Sequence, residues 1–316
     1  MTKIIIVGPA SPLRGGISDF NEALAKSLEE KGFLVEIISF SLQYPKFLFP
    51  GKSQNRVEQT EAFKFKISPI INSINPISWW RTAKYIKAKN PSKVFIRFWM
   101  PFFAPCLGII GRYLKRNKIP VFGIVDNAIA HEKRLGDTML VNYFLNKCDS
   151  HFTLSDKVKK DIKKINNRVG VESLFHPIYN TYSKITDKVS ALKSLNLKEG
   201  KYILFFGLIR KYKGLDLAIR AMSNKLIIAG EFYDSEERYQ NLIRDLSLNN
   251  IIIYNQFIAN KQVPDFFSVS NLVILPYTSA TQSGVTQLAM YYNKPMLVTN
   301  VGGLPEIIDH KKDGYI

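Results

Sequence analysis

The sequence predicts an α/β protein built from two successive domains, each with helices packed on a sheet of parallel strands. Short apolar runs of the kind that buried parallel strands need alternate with amphipathic segments along the chain. The alternation restarts at Tyr202 after the polar stretch 181–200, which is suited to a linker. We therefore assign the first domain to residues 1–180 and the second to residues 201–316.

Composition limits the class of protein and the kind of partner. The chain has 316 residues, of which 46% are hydrophobic, so two cores of ordinary size can form. Its 44 Lys and Arg against 26 Asp and Glu give a net charge of +18, which favours an anionic partner. Nucleotides, nucleic acids and anionic membrane surfaces all qualify. Because no nucleic-acid-binding motif is present, we expect no nucleic acid partner.

The two cysteines, Cys106 and Cys148, form neither a disulfide framework nor a metal-binding pattern. They indicate a reducing compartment, and we expect a cytoplasmic protein without a metal site. The N-terminal run MTKIIIVGPA has the pattern of a strand and not of a signal peptide. No apolar run approaches the ~20 residues that a membrane-spanning helix needs.

The chain begins with a βαβ unit. Lys3–Val7 is an apolar strand, and residues 17–31 have apolar positions at helical spacing before a second strand at 33–40. The turn between them contains Gly15 and Gly16, which allow a ligand to approach the backbone closely. It lacks the G-x-G-x-x-G spacing of a dinucleotide-binding turn, and a plain tight turn explains it equally well.

Two segments after this unit are candidate contact surfaces. Residues 41–66 form a long loop with aromatic and basic residues, which we interpret as an acceptor-side or membrane-side loop. A basic helix then begins at Trp79 and ends near Lys89. The apolar residues predicted to share one face of this helix are Trp79, Trp80, Ala83 and Ile86. An interfacial membrane helix and a surface helix packed on the sheet both have this pattern.

A polar segment follows the strand Val121–Val125, at the edge where open parallel sheets bind ligands. The segment begins with Asp126 and includes His131 and Glu132, which could accept or orient a proton. A structural role for the His-Glu pair is an equal alternative. The preceding strand and helix are predicted at 94–99 and 107–116.

A lysine-rich helix comes near the end of the first domain. It follows a helix at 138–146 and a strand at 151–154, and Ser155 is placed to cap its residues 156–165. Its lysines are Lys157, Lys159, Lys160, Lys163 and Lys164. They indicate either a solvated face or a patch that faces a membrane or a substrate.

The second domain opens with a candidate diphosphate-binding turn. The buried strand Tyr202–Phe206 is followed by Arg210 and Lys213, and then by a helix at 215–222. Arg210 could bind two phosphate oxygens as a fork, and Lys213 could act as a point charge. We favour this clamp over a simple basic turn, because a polar loop between strand and helix recurs within 273–308.

The stretch 273–308 is the most informative part of the sequence. After strands at 226–230 and 251–254 and a helix at 263–268, it adds a strand, a polar loop and a helix at 285–292. Helix N-termini favour phosphate, and hydroxyl and amide side chains can bind sugars or phosphates. The candidate ligand-binding residues here are Thr281, Gln282, Ser283, Gly284 and Gln287. The alternative is a Ser/Thr cap on an ordinary crossover helix.

Four pieces of sequence together carry a resemblance to a known family. They are Gly15-Gly16, Arg210-x-x-Lys213-Gly214, Ala229-Gly230-Glu231, and the stretch from Pro276 to Gly302-Gly303-x-Pro305-Glu306. With them the chain resembles the retaining glycosyltransferases of the GT-B fold, the large family that includes sucrose synthases and mannosyltransferases. It is most similar to bacterial members that build surface polysaccharides.

The resemblance implies two Rossmann-like domains with parallel sheets facing across a cleft, the first binding an acceptor and the second a nucleotide-sugar donor. It implies that Arg210 and Lys213 hold the donor diphosphate and stabilise the charge on the leaving nucleotide without a metal. Gly16 would let the donor approach the first domain, and Glu231 would belong to the donor site.

The sequence departs from the family pattern at two places. Where the family has two glutamates eight residues apart, the two possible alignments give Thr281 and Ala289, or Ala280 and Leu288. The nearest polar replacements are Gln282, Ser283 and Gln287. Where the family has a catalytic-site histidine before an asparagine, this chain has Asp126 before Asn127, with His131 a few residues further on.

The resemblance and the charge lead us to expect a metal-independent, retaining hexosyltransferase, attached peripherally to the inner face of the plasma membrane. It would transfer a sugar from a UDP- or GDP-sugar to a glycan or lipid-linked acceptor in polysaccharide, lipopolysaccharide or exopolysaccharide synthesis. We expect no cofactor beyond this donor. A nucleotide-sugar epimerase of the same architecture and a non-catalytic nucleotide-sugar- or glycan-binding protein are the alternatives. Family members continue beyond the position of Ile316, so we expect a truncated sequence.

Overall fold

The chain divides into two compact units. The computed structural model describes residues 2–45, 53–56, 63–129, 134–178 and 182–316. The internal contacts divide the chain into Met1–Phe175 and His176–Ile316. Each unit contains its own parallel sheet and its own buried apolar clusters. The α/β architecture with two Rossmann-like domains is therefore confirmed.

The first unit is a seven-stranded parallel sheet with the strand order β3-β2-β1-β4-β5-β6-β7. The strands are β1 (Lys3–Val7), β2 (Leu34–Leu42), β3 (Lys66–Asn72), β4 (Lys93–Phe98), β5 (Val121–Val125), β6 (Ser150–Thr153) and β7 (Val171–Ser173). The helices are α1 (Gly16–Glu30), α2 (Pro76–Ala88), α3 (Ala104–Arg116), α4 (Asp137–Leu145) and α5 (Asp156–Ile165). The strand order reverses direction between β1 and β4, which is the position where sheets of this kind bind ligands.

Apolar residues cover both faces of this sheet. Ile5 and Val7 of β1 join one buried cluster, whereas Ile6 between them joins another. Successive side chains of a strand point to opposite faces, so a continuous apolar run is required where helices cover both sides. The sequence of β1, KIIIV, meets this requirement.

The second unit is a six-stranded parallel sheet with the order β10-β9-β8-β11-β12-β13. Its strands are β8 (Tyr202–Phe206), β9 (Lys225–Ala229), β10 (Ile251–Tyr254), β11 (Ser270–Leu275), β12 (Met296–Val298) and β13 (Gly314–Tyr315). Its helices are α6 (Lys188–Ser194), α7 (Leu215–Ala221), α8 (Glu236–Asp245), α9 (Val263–Val269) and α10 (Gly284–Tyr291). Here the strand order reverses between β8 and β11.

The segment predicted as a linker packs on the second unit. The backbone carbonyls of Tyr182, Ser183 and Thr186 accept hydrogen bonds from the side chains of Tyr291, Tyr292 and Ser268, respectively. Within α6, Ala191 is fully buried in the second unit's core. Residues 182–200 therefore contribute to the stability of the second unit.

Several features of the fold differ from the sequence prediction, among them the three-residue strand β7, which was not predicted. The interpretation of 41–66 as loop ends where β3 begins, and β3 itself was not predicted. Helix α8 was also not predicted. The placement of Trp80 on the same face of α2 as Trp79 is wrong, because Trp79 is 8% exposed whereas Trp80 is 48% exposed. Neighbouring residues on a helix differ by about 100° in direction, so Trp79 and Trp80 cannot both face the sheet.

No helix among the described residues is long and apolar enough to cross a bilayer.

Candidate functional site

The turn after β8 places Arg210 and Lys213 at the carboxyl edge of the second sheet. Residues Lys211–Lys213 form one 3₁₀ turn, and the Lys213 amide donates to the carbonyl of Arg210 at 2.9 Å. Gly214 has a left-handed backbone with φ of 65°, and a Cβ at this position would overlap the carbonyl oxygen of Pro276. A glycine is therefore required where the turn passes the β11 loop.

The two cations of this turn have different surroundings. Arg210 is exposed, and its guanidinium carbon lies 5.0 Å from the centre of the Tyr233 ring. Lys213 is only 8% exposed, and its ammonium nitrogen lies 5.6 Å from the centre of the Tyr277 ring. Burial, reinforced by the charge of Arg210, lowers the pKa of the Lys213 ammonium to about 7. Within the described residues this ammonium has neither a hydrogen bond nor a carboxylate partner.

The loop after β9 brings Glu231 to the same edge. The carbonyl of Glu231 accepts from the amide of Ile209 at 2.9 Å, and the amide of Tyr233 donates to the carbonyl of Ile209 at 2.9 Å. These bonds join the loops after β8 and β9. Glu231 is 4% exposed. The predicted donor-site residues Arg210, Lys213 and Glu231 therefore follow two adjacent strands.

The polar loop between β11 and α10 is the third loop of the candidate donor site, beside the loops that follow β8 and β9. The amide and the hydroxyl of Thr278 both donate to the carbonyl of Tyr212, at 2.8 and 3.1 Å, so this loop is bonded directly to the clamp turn. Ser283 is the N-cap of α10, and its hydroxyl accepts from the amide of Val285 at 3.3 Å. The same hydroxyl lies 3.2 Å from the phenol oxygen of Tyr277. The sequence alternative of a Ser/Thr cap is therefore present in the structure, at the position proposed for ligand binding.

The candidate residues around the start of α10 differ in accessibility. Gly284 is exposed, and open space surrounds the position that a Cβ would occupy. Thr281 and Ser283 are buried, at 6% and 8% exposure. Gln287 is 1% exposed, and among the described residues its side-chain carbonyl oxygen has no hydrogen-bond partner. Gln282 is half-buried beside them.

In the first unit, Gly15 and Gly16 lie at the start of α1. Gly15 has φ of 114°, and no atom of a described residue beyond the chain neighbours lies within 4 Å of the Cβ position at either glycine. No side chain in the described part of the structure caps the N-terminus of α1. The surroundings of both glycines are therefore open among the described residues, and ligand binding there stays a prediction.

Asp126 lies directly after β5, where it was predicted, but its carboxylate already has a partner. Arg97 of β4 donates to both oxygens, with Nε–Oδ2 at 2.6 Å and Nη2–Oδ1 at 2.5 Å. Both residues are buried, at 2% and 4% exposure, and the guanidinium carbon of Arg97 lies 3.9 Å from the centre of the Phe20 ring. The catalytic role of Asp126 stays a prediction. His131 and Glu132 lie outside the described residues.

Sequence reasoning missed Arg97 and Tyr277. The signal for Arg97 was a single cation inside an otherwise apolar strand, KVFIRF. A buried arginine needs an anionic partner, so a carboxylate on a neighbouring strand end could have been sought. Tyr277 directly follows the Pro276 that ends the strand, and nothing in the sequence distinguished its phenol as a partner of the α10 cap.

Solved structures share this two-unit fold. Sucrose-phosphate synthase from Thermosynechococcus elongatus superimposes with a TM-score of 0.71 at 14% identity, covering 100% of this chain and 85% of that one. The apo form of the lipopolysaccharide outer core galactosyltransferase WaaB gives a TM-score of 0.66 at 14% identity, over 99% and 85% of the two chains. A UDP complex of MnaA from S. aureus gives 0.56 at 13% identity, over 94% and 79%. The fold is therefore the GT-B fold of glycosyltransferases.

Sequence comparison relates the second unit to a narrower group of proteins than the fold does. Residues 188–316 match the family model of glycosyl transferases group 1. An uncharacterized glycosyltransferase of Methanocaldococcus jannaschii is 28% identical over 136 residues, which are 40% of this chain and 35% of that protein. An uncharacterized 41.2 kDa protein in the cps region of Klebsiella pneumoniae is 23% identical over 207 residues, 64% of this chain and 52% of that protein. The chain spans about a third to a half of the length of these relatives.

Proposed function

We propose that the chain is a glycosyltransferase that uses a nucleotide sugar as donor and retains the anomeric configuration. The observation that carries this proposal is Lys213, a buried ammonium beside Arg210 without an anionic partner among the described residues. A buried cation is costly unless an anion compensates it. The cation lies where the strand order reverses, next to an N-terminus of a helix, and a diphosphate is the anion that suits this position.

Each candidate residue has a chemical role in this proposal. Arg210 binds the diphosphate as a fork and Lys213 as a point charge, and both stabilise the charge that develops on the departing nucleotide without a metal. Glu231 and the α10 loop, with Thr281, Ser283 and Gly284, bind the sugar and ribose hydroxyls. The amides of Gln282 and Gln287 take the place of the family's carboxylates as hydrogen-bonding groups.

The proposed donor is a UDP- or GDP-hexose, and the acceptor is a glycan or a lipid-linked glycan. The cps-region relative from Klebsiella supports a setting in polysaccharide synthesis. Gly15 and Gly16 leave room for a ligand on the first unit. We place the protein in the cytoplasm, attached peripherally to the inner face of the plasma membrane.

One observation favours a second candidate, a non-catalytic nucleotide-sugar-binding protein. Neither possible alignment places a glutamate at the two family positions. A protein that had lost these carboxylates could keep the phosphate clamp and lose turnover. The epimerase alternative predicts interconversion of free nucleotide sugars. A turnover assay run with and without acceptor therefore distinguishes a transferase, an epimerase and a binding protein.

The first experiment is a thermal shift measurement against UDP-, GDP-, ADP- and dTDP-sugars. We expect one nucleotide to stabilise the wild type, and Arg210→Ala and Lys213→Ala to remove that shift. The matched control is Lys211→Ala, because Lys211 is an exposed cation in the same turn. Equal loss in the control, or no shift with any nucleotide in the folded protein, would refute the donor site.

The second experiment measures turnover with the nucleotide sugar identified in this way. Donor consumption that requires an added glycan or lipid-linked acceptor, with the anomeric configuration of the product read by NMR, supports a retaining transferase. Isomers of the free donor would identify an epimerase instead. Binding without any conversion, across a panel of acceptors, would favour the binding protein.

A further inference from the structure

Helix α2 presents an outward face that combines large apolar and cationic side chains. This face consists of Ile77, Trp80, Arg81, Lys84 and Lys87, all of which are exposed. Ile77 is 61% and Trp80 is 48% exposed, and the Lys84 ammonium lies 3.5 Å from the centre of the Trp80 ring. The opposite face anchors the helix, because Trp79, Ala83 and Ile86 belong to the first unit's core.

The adjoining edge of the sheet extends the apolar area. Strand β3 is the edge strand of the first sheet, and Ile70 in it is 37% exposed. Ile74, in the connection from β3 to α2, is 52% exposed. A shallow groove next to α2 is lined by Ile70, Asn75, Ile77, Ser78, Arg81, Thr82 and Tyr85. We call Ile70, Ile74 and the outward face of α2 together the β3–α2 surface.

The stretch of sequence that contains this surface carries charge of a single sign. Residues 62–125 contain 12 Lys and Arg and no Asp or Glu. Over the two units, residues 1–175 contain 28 Lys and Arg against 14 Asp and Glu, whereas residues 176–316 contain 16 against 12. Most of the excess positive charge of the chain is therefore on the unit that bears the β3–α2 surface.

We propose that the β3–α2 surface docks onto the anionic phospholipid surface of a bilayer. Basic residues next to an exposed tryptophan and isoleucines are the composition of a helix that lies in the membrane interface. The cations attract anionic headgroups, while Trp80, Ile77 and Ile74 enter the boundary between headgroups and acyl chains. A nucleic acid would use the cations but would leave the isoleucines exposed to water. The proposal rests on the proposed function in that it brings the enzyme to a lipid-linked acceptor.

The first test is co-sedimentation with vesicles of phosphatidylcholine containing 30% phosphatidylglycerol, and with phosphatidylcholine alone. We expect the wild type to bind the anionic vesicles only. Each cation near an anionic surface contributes about fivefold to binding, so Lys84→Gln with Lys87→Gln should weaken it about 25-fold. Ile77→Ser with Trp80→Ser should weaken it on the order of tenfold.

The matched control is Lys160→Gln with Lys164→Gln on α5. Both lysines are exposed on a helix of the same unit, so the control removes the same charge at a different surface. We expect a loss below about threefold. An equal loss in the control would mean that net charge, or the lysine-rich face of α5, contributes as much to binding as the β3–α2 surface, and it would overturn the proposal. Absence of vesicle binding by the wild type would also overturn the proposal. So would binding of single-stranded DNA that the two β3–α2 double variants weaken as much as they weaken vesicle binding.

Quenching of tryptophan fluorescence by brominated phospholipid tests the β3–α2 surface in the wild-type protein. All three tryptophans lie in the first unit, and Trp79 and Trp99 are 8% exposed, so a quencher in the bilayer should act on Trp80. We expect strong quenching in the wild type and its loss in Trp80→Phe, which keeps an aromatic ring. Unchanged quenching in that variant would place the contact elsewhere. The donor thermal shift of each variant is measured in parallel, so a failed donor site is distinguished from a failed membrane surface.

Discussion

Lys213 is the residue on which the candidate site most depends. Burial and the neighbouring Arg210 make its charged form unfavourable in the ligand-free protein, and the pKa is lowered to about 7. A bound diphosphate reverses this balance, because it supplies two or more negative charges at close range. Ligand binding and protonation of Lys213 are therefore linked.

This linkage predicts a pH dependence of donor binding. Above pH 7 the ligand-free protein holds Lys213 mostly neutral, so binding must take up a proton. We expect donor affinity to fall by up to about tenfold per pH unit as the pH rises from 7 to 8.5. Calorimetry at pH 8 in buffers of different ionisation enthalpy should show uptake of about one proton.

The control for this prediction is Lys213→Arg. A guanidinium stays charged at every pH tested, so the proton uptake should disappear even if the affinity changes. Proton uptake of the same size in this variant would assign the titration to another group, such as the nucleotide itself.

Substitutions at two glycines of the second unit, Gly302 and Gly284, distinguish a role in stability from a role in donor binding. Gly302 has φ of 59°, and a Cβ there would overlap the carbonyl oxygen of Ala280. We expect Gly302→Ala to lower the free energy of unfolding by about 2 kcal/mol or more, because both the backbone conformation and the contact are incompatible with a side chain. Gly284→Ala, with open space around the Cβ position, should change stability by less than about 0.5 kcal/mol.

Gly284→Ala should affect donor binding more than it affects stability. A methyl group there enters the open space at the N-terminus of α10, so we expect Gly284→Ala to weaken donor binding while the melting temperature stays close to that of the wild type. Chemical denaturation and nucleotide titration of both variants check this. Normal donor affinity in Gly284→Ala would remove Gly284 from the donor site.

The ion pair of Arg97 and Asp126 illustrates what a sequence leaves open at this scale. Each residue is recognisable alone, one as a cation inside an apolar strand and the other as an acid after a strand. They are 29 positions apart, and their pairing depends on the register between β4 and β5. That register is a tertiary property, and no local pattern encodes it.

At the scale of elements, the strength of the local sequence pattern decided which predictions were accurate. Tyr202–Phe206, Val121–Val125 and Ile251–Tyr254 were predicted with the bounds that the structure has. All three are short apolar runs next to polar turns. Helix α5 was also predicted with its observed bounds, and Ser155 caps it by accepting from the amide of Val158 at 3.3 Å. Strong periodicity and a capping residue made this helix visible in the sequence.

The elements that sequence reasoning missed have weak patterns. Strand β3 contains Pro69, which is depleted in strands, but β3 is an edge strand, where a proline is tolerated. Helix α8 fully buries only Tyr239, with Leu242 and Ile243 partly buried against the same core, and charged or polar residues make up the rest of it, so its apolar stripe is short. Strand β7 has three residues at the other edge of the sheet. In each case tertiary contacts outweigh the local signal.

Helix α6 provides a prediction at the scale of elements. Leu195, the residue that ends it, is 8% exposed within the second unit's core, although the sequence suggested a linker here. We expect Leu195→Ala to lower the free energy of unfolding by about 2–3 kcal/mol, because it leaves a cavity in this core. Val189→Ser in the same helix is the control, since Val189 is 74% exposed and should tolerate the change. Equal stability of both variants, measured by urea denaturation, would mean that α6 is a linker after all.

At the scale of the whole molecule, the sequence predicted which strand ends carry the candidate donor site. Parallel strands that leave the sheet at the same edge bring their following loops together, so the residues themselves predicted that the Arg210–Lys213 turn and the α10 loop lie at one edge. The family resemblance added Glu231 to this group. The bonds that join these loops could not be predicted. They run mainly through backbone carbonyls, such as that of Tyr212, and backbone groups are the same in every sequence.

The two units also differ in their spectroscopic groups, which makes their stabilities separately measurable. The buried clusters of the first unit contain no described residue of the second, and the reverse also holds. All three tryptophans, Trp79, Trp80 and Trp99, lie in the first unit. Tryptophan emission therefore reports on the first unit, whereas far-ultraviolet circular dichroism reports on the helices of both.

Because each unit has its own core, we expect thermal unfolding in two steps. The stabilising nucleotide at 100 times its Kd should raise the transition of the second unit, seen by circular dichroism, by about 5–10 °C. The tryptophan transition should move by less than about 2 °C, because the proposed phosphate ligands Arg210 and Lys213 both lie in the other unit. Gly302→Ala should lower the second transition and leave the tryptophan transition in place. A single transition that both probes report together, and that nucleotide shifts equally in both, would show instead that the two units unfold as one cooperative body.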